Sequence, residues 1–190
     1  MADKAQSDIK LFGFWVYLMT DLVIFSVLFA AFVVLRFNTY SGPTAKVLFD
    51  MPFAFAETMV LLTSSFTCAL ATYSVFLKKK NAVIFWFAIS FLLGVSFLYL
   101  EATEFKRFIL MGAGPSRSAF LSSFFALVGT HGFHVSMGLI WMIITMFTIG
   151  YQGLTPPNVS RLFRVAYFWH FLDVIWIFIF TVVYGMGHLV

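Results

Sequence analysis

Residues 118–160, SAFLSSFFALVGTHGFHVSMGLIWMIITMFTIGYQGLTPPNVS, contain no charged side chain. A helix needs about 20 apolar residues to cross the hydrocarbon core of a bilayer, so the part of this stretch that precedes Pro156-Pro157 spans a membrane with some tilt. Its centre, GTHGFHVSMG at 129–138, places His131 and His134 three residues apart on one helical face. Imidazoles are costly inside a bilayer, so this pair requires partners on other helices.

Four more apolar runs flank it, giving five in all at 11–35, 53–77, 82–105, 121–149 and 162–186. The chain has 190 residues, 62% of them hydrophobic and only 11% charged, where soluble domains carry about 25% charged residues. The reading is all-α: one integral-membrane domain over 1–190, a polytopic bundle of five transmembrane helices. A soluble catalytic domain is excluded, because the connections are too short to fold independently. The first run is too long for a signal-peptide core and has no small-residue cleavage site after it, so it is expected to stay as an anchor. Cys68 lies among small residues in the second run and reads as a packing residue.

The formal charge of +4 does not indicate nucleic acid, because the cations flank the spans. Lys4, Lys10, Lys78, Lys79, Lys80, Arg161 and Arg164 fall on one side, and Arg36, Lys46, Lys106, Arg107 and Arg117 on the other. That bias places the N-terminus in the cytoplasm and, with an odd number of spans, the C-terminus outside. Gly42-Pro43 and Pro52 signal a turn and then a helix start, and residues 78–81 form a tight turn. The third connection, KRFILMGAGPSRSAFLSS at 106–123, is expected at the membrane surface, with Ser118, Ser122 or Ser123 capping the next helix. Asn158 or Ser160 is expected to cap the fifth. Small residues at helical spacing, Ser64 and Cys68, then Gly129, Gly132 and Ser136, predict close packing. Trp15, Trp86, Trp141, Trp169 and Trp176 read as interfacial belt and packing residues. No repeat or inverted symmetry suggests a secondary transporter.

Glu101 and Glu104, His131 and His134, and His170 and Asp173 are each i, i+3 pairs, so three spans present polar pairs to one another. Two chemistries suit them. One is a hydrogen-bonded network in which carboxylates meet imidazole N–H groups across helices. The other is a metal or haem site, although di-iron bundles use Glu-x-x-His on one helix and here Glu and His are segregated. Asp21, deep in the first run, is either a packing carboxyl or a proton-relay group. Glu57 reads as interfacial.

The segments GFWVYLMTD (13–21), YLEATEF (99–105), GPSRSAFLSSFFALVGTHGFHVSMGLIWM (114–142) and YFWHFLDVIWIFIFTVVYGMG (167–187) resemble subunit III of haem-copper respiratory oxidases. The likeness is strongest to the short, five-span branch found in bacterial cytochrome bo-type ubiquinol oxidases, and the chain begins where the third span of the seven-span cytochrome c oxidase version would. The resemblance implies a non-catalytic subunit of a proton-pumping quinol oxidase of the bacterial inner membrane. It implies docking on subunit I, with subunits II and IV in the same complex and ubiquinol as the substrate of that complex. It also implies bound phospholipid and no metal in this chain, haem and copper belonging to subunit I. Asp21 stands where the family has its carbodiimide-reactive membrane carboxylate, with aspartate in place of the glutamate of longer relatives. Two rival readings are the related accessory subunit of nitric oxide reductase and a stand-alone di-metal membrane enzyme.

Overall fold

The computed structural model describes residues 2–39 and 50–185, with side chains from residue 9 onward, and its helices follow the apolar runs. They are α1 (Ala2–Leu35), α2 (Met51–Phe76), α3 (Lys80–Leu110), α4 (Ala119–Gln152) and α5 (Pro156–Ile179), the last running on into a π-helical turn, Phe180–Gly185. All five are long and apolar enough to cross a membrane. The Gly42-Pro43 turn, Lys46 and Met186 lie outside the described residues.

The helix ends differ from expectation where charged side chains continue a helix past its apolar run. Lys106 and Arg107 stay within α3, since long cationic side chains reach water while their stems cover apolar surface. The third connection therefore shrinks to residues 111–118. Gly112 ends α3 in the left-handed region, at φ +71°. Its N–H donates to the Ile109 carbonyl and that of Ala113 to the Phe108 carbonyl, the bond pair of a Schellman ending. Ser118 caps α4 by accepting from the Leu121 N–H at 3.2 Å. Ser123 instead turns inward and donates to the Phe120 carbonyl. α5 starts earlier than expected, directly behind Thr155 with Pro156 and Pro157 in its first positions. Asn158 therefore does not cap it but ties the turn, donating to Gly153 O at 3.1 Å and Gln152 Oε1 at 3.3 Å.

Four helices form a closed ring in which α2 touches α3, α3 touches α4, α4 touches α5 and α5 returns to α2. α1 lies outside this ring along the α4–α5 seam. It is held by aromatic contacts, Phe14 with Trp141 at 6.3 Å and Tyr17 with Phe168 at 6.1 Å between ring centroids.

The ring is tight because small residues let large ones in. Trp169 is fully buried, and its indole donates to Ser64 Oγ at 3.0 Å. Ser64 in turn donates to the Ser90 carbonyl, while Thr67 and Ser90 share a hydroxyl bond of 2.7 Å. Gly94 sits under the indole: a Cβ there would stand 2.7 Å from Trp169 and 2.8 Å from Leu139. Trp176, also buried, donates to Thr58 Oγ1 and meets Phe97 edge-on at 4.6 Å. Trp169 and Trp176 are thus core residues, whereas Trp15 faces outward. Overpacking a close site costs about 1–3 kcal/mol. Gly94→Val is expected to lower the thermal transition of the assembled protein, and Gly13→Ala, with open space around it, to leave it unchanged; a denaturation series in mild detergent checks both.

Candidate functional site: carboxylates and imidazoles between the helices

The six residues expected to share one network occupy separate places. The largest cluster lies where the early turns of α2, the late turns of α3 and the π-helical turn after α5 converge. Glu57, expected at the interface, is completely buried there, at 0% exposure. The correction is geometric: nearly two turns into α2, its side chain points into the ring rather than along the membrane surface. Among the described residues neither of its carboxyl oxygens has a hydrogen-bond partner. It lies within electrostatic reach of Glu101 and Glu104, both buried. Glu104 Oε2 accepts from the Tyr184 hydroxyl at 2.7 Å. Glu101 lies against the backbone of α4, where a Cβ at Gly132 would stand 2.5 Å from Oε1. The bare backbone at Gly132 leaves room for that carboxyl where it stands.

His131, fully buried, is held by aromatic rings rather than by a carboxylate. Its ring lies 5.1 Å from that of Trp176 and 5.8 Å from that of Phe97. Its Nε2 stands 3.3 Å from the Leu172 carbonyl; since a carbonyl oxygen only accepts, that nitrogen is the donor.

His134 belongs to a second place, on the seam with α1. Its Nδ1 donates to the Thr130 carbonyl at 2.7 Å. Its Nε2 faces Asp21 Oδ1 at 3.6 Å, longer than a hydrogen bond but within ion-pair range. Asp21 is buried at 4% exposure. With one proton fixed on Nδ1, an attractive contact with the carboxyl requires a second proton on one of the two facing atoms. Asp21 therefore has a partner that its own neighbourhood in sequence does not reveal.

The third place is the α2–α5 seam near the bundle surface. His170 Nδ1 bonds Ser65 Oγ at 2.6 Å and lies 3.6 Å from Asp173 Oδ2 one helical turn away. The polar face of His170–Asp173 is thus directed to a serine, not to the glutamates of α3. Among the described residues no three of His, Cys, Asp and Glu are grouped so as to hold a metal ion.

Tyr184 is the participant that sequence reasoning missed. Its only signal is a lone phenol in the apolar run VVYG. The π-helical turn changes the period just before it, so a 3.6-residue projection assigns it to the wrong face.

The family model described as "Cytochrome c oxidase subunit III" matches residues 3–188. The chain is 51% identical to "Cytochrome bo(3) ubiquinol oxidase subunit 3" of Pseudomonas aeruginosa over 94% of this chain and 85% of that one. It is 43% identical to the protein of the same name from Buchnera aphidicola, over 94% of this chain and 92% of that one. It is 44% identical to "Cytochrome c oxidase subunit 3" of Bacillus sp. strain PS3, over 94% of this chain and 86% of that one. With a match running almost from end to end and relatives this close, the chain belongs to the cytochrome c oxidase subunit III family.

Proposed function

We propose that this oxidase subunit III is the non-catalytic, membrane-embedded partner of a haem-copper subunit I in a proton-pumping ubiquinol oxidase. One observation carries the reading: polar side chains on different spans meet across helix seams, as in Glu104–Tyr184, Asp21–His134 and Ser65–His170. Such pairs fix helices in place, which is what a scaffold requires. The choice of ubiquinol as electron source is supported by the 51% identity to a subunit of that name. In this reading haem and copper lie in subunit I, subunits II and IV complete the complex, and this chain stabilises subunit I and holds phospholipid beside it. The complex lies in the bacterial inner membrane. The cation bias supports a cytoplasmic N-terminus and a periplasmic C-terminus. The glutamate cluster, near the connections opposite Lys78–Lys80, then lies toward the periplasmic side.

Co-purification in mild detergent with mass identification tests this: a haem-copper subunit I of the quinol-oxidising type should accompany the chain. Recovery with the large subunit of a nitric oxide reductase, or of the chain alone carrying stoichiometric haem, iron or copper, would overturn it. Asp21→Asn is expected to leave electron transfer nearly intact and to show its effect in pumping stoichiometry or in loss of activity during turnover. Unchanged values of both would leave Asp21 a packing residue. Tyr184→Phe removes the donor from a buried carboxyl, at a cost of about 1–3 kcal/mol; the expected result is less subunit III in the purified complex, with the haem spectrum of the complex unchanged.

A further inference from the structure

One feature of the bundle belongs to none of the three polar places. Between the first turns of α3 and the last turns of α4 runs a groove of about 440 Å³, lined by Ile84, Ile143, Met146, Phe147, Gly150 and Tyr151. That volume is within the ~300–1,000 Å³ of small-molecule sites. The walls are apolar, and Gly150 has open space where a side chain would stand, which deepens the groove. It lies inside two membrane spans, so its occupant is a hydrocarbon chain or a side of another helix.

The rim decides between them. Lys80 Nζ donates to the Gly150 carbonyl at 2.6 Å, which fixes an ammonium on the edge of the groove. Lys80 lies one turn above Ile84 on the same face of α3, and a second depression opens beside it, lined by Lys79, Lys80, Asn81 and Ala82. Lys78 is held in the left-handed region at φ 54°, ending α2 so that three lysines emerge together. Around them, residues 77–80 and 150–164 contain five cations and no acidic side chain. Tyr151 stands at the rim 97% exposed, a residue type enriched at the membrane–water interface. An apolar slot ending under clustered cations at the level of the headgroups is complementary to a lipid with net negative charge.

The geometry points to a binding site for one anionic phospholipid, with an acyl chain in the α3–α4 groove and its phosphate at Lys79 and Lys80. The site rests on the lipid-holding part of the function above and gives it a chemical class and a place, independent of the electron donor.

The test uses the intact complex, delipidated in mild detergent and titrated with phosphatidylglycerol or phosphatidylcholine of the same chains, with bound lipid counted by native mass spectrometry. Wild type should retain phosphatidylglycerol over phosphatidylcholine. K79Q/K80Q should weaken phosphatidylglycerol about 25-fold, as expected from about fivefold for each of the two cations near an anionic surface. R161Q/R164Q, at the same end of the bundle but off the groove, should not. Ile143→Trp, which fills the groove, should abolish retention of both lipids while the complex stays together; Gly150→Leu is the second filling variant if the first does not assemble. Equal losses in K79Q/K80Q and R161Q/R164Q would show diffuse attraction and overturn the site. So would a filled groove that sheds a partner subunit instead of lipid, since the groove would then seat a helix. If the complex stays assembled but no variant changes lipid retention, the site fails and the scaffold reading stands.

Discussion

A bilayer offers no water to a polar side chain, and that constraint organises this molecule. A charged residue at mid-membrane costs on the order of 2.5–3.5 kcal/mol on insertion scales, so each acidic or imidazole group in the spans is best placed where another helix can answer it. The answers found are diverse: a phenol for Glu104, an imidazole for Asp21, a serine hydroxyl for His170 and a main-chain carbonyl for His131. Because each of these four partners belongs to a different helix, the pairs also define which helix lies beside which.

The apolar packing obeys the same geometry at closer range. Without a hydrophobic driving force between helices in lipid, contact depends on shape and on hydrogen bonds. Gly94 and Gly132 remove side chains where Trp169 and Glu101 need space, and Ser64, Thr67 and Ser90 let α2 and α3 approach while satisfying the indole of Trp169. Bulky rings and carboxyls are thus admitted at the few points where the opposing backbone is bare.

The span count and helix identity were legible in the sequence because uncharged length is a nearly sufficient criterion for a membrane helix. The small-residue spacing at Ser64, Cys68 and Gly132 was legible for the same reason. Pairing was not. The i, i+3 spacing says that His131 and His134 share a face of their own helix, but the two rings diverge by enough to meet different neighbours, one turning to α5 and the other to α1. For Glu57, distance from the helix end suggests an interfacial position, whereas burial depends on which way the side chain is rotated. Tyr184 was hidden by a local change of helical period.

The peripheral seat of α1 has a consequence for biogenesis. Asp21 is translated early, and His134 follows it more than a hundred residues later. At about 5–20 residues per second, the carboxyl waits about 6–23 s before its imidazole exists. The leucines, isoleucines and phenylalanines of α1 favour insertion by about 0.3–0.6 kcal/mol each, enough to carry one aspartate into the bilayer alone. The newborn helix therefore enters as an independent anchor whose aspartate has only Tyr17, one turn away, within reach, until the ring of later helices closes and gives it a seam to join.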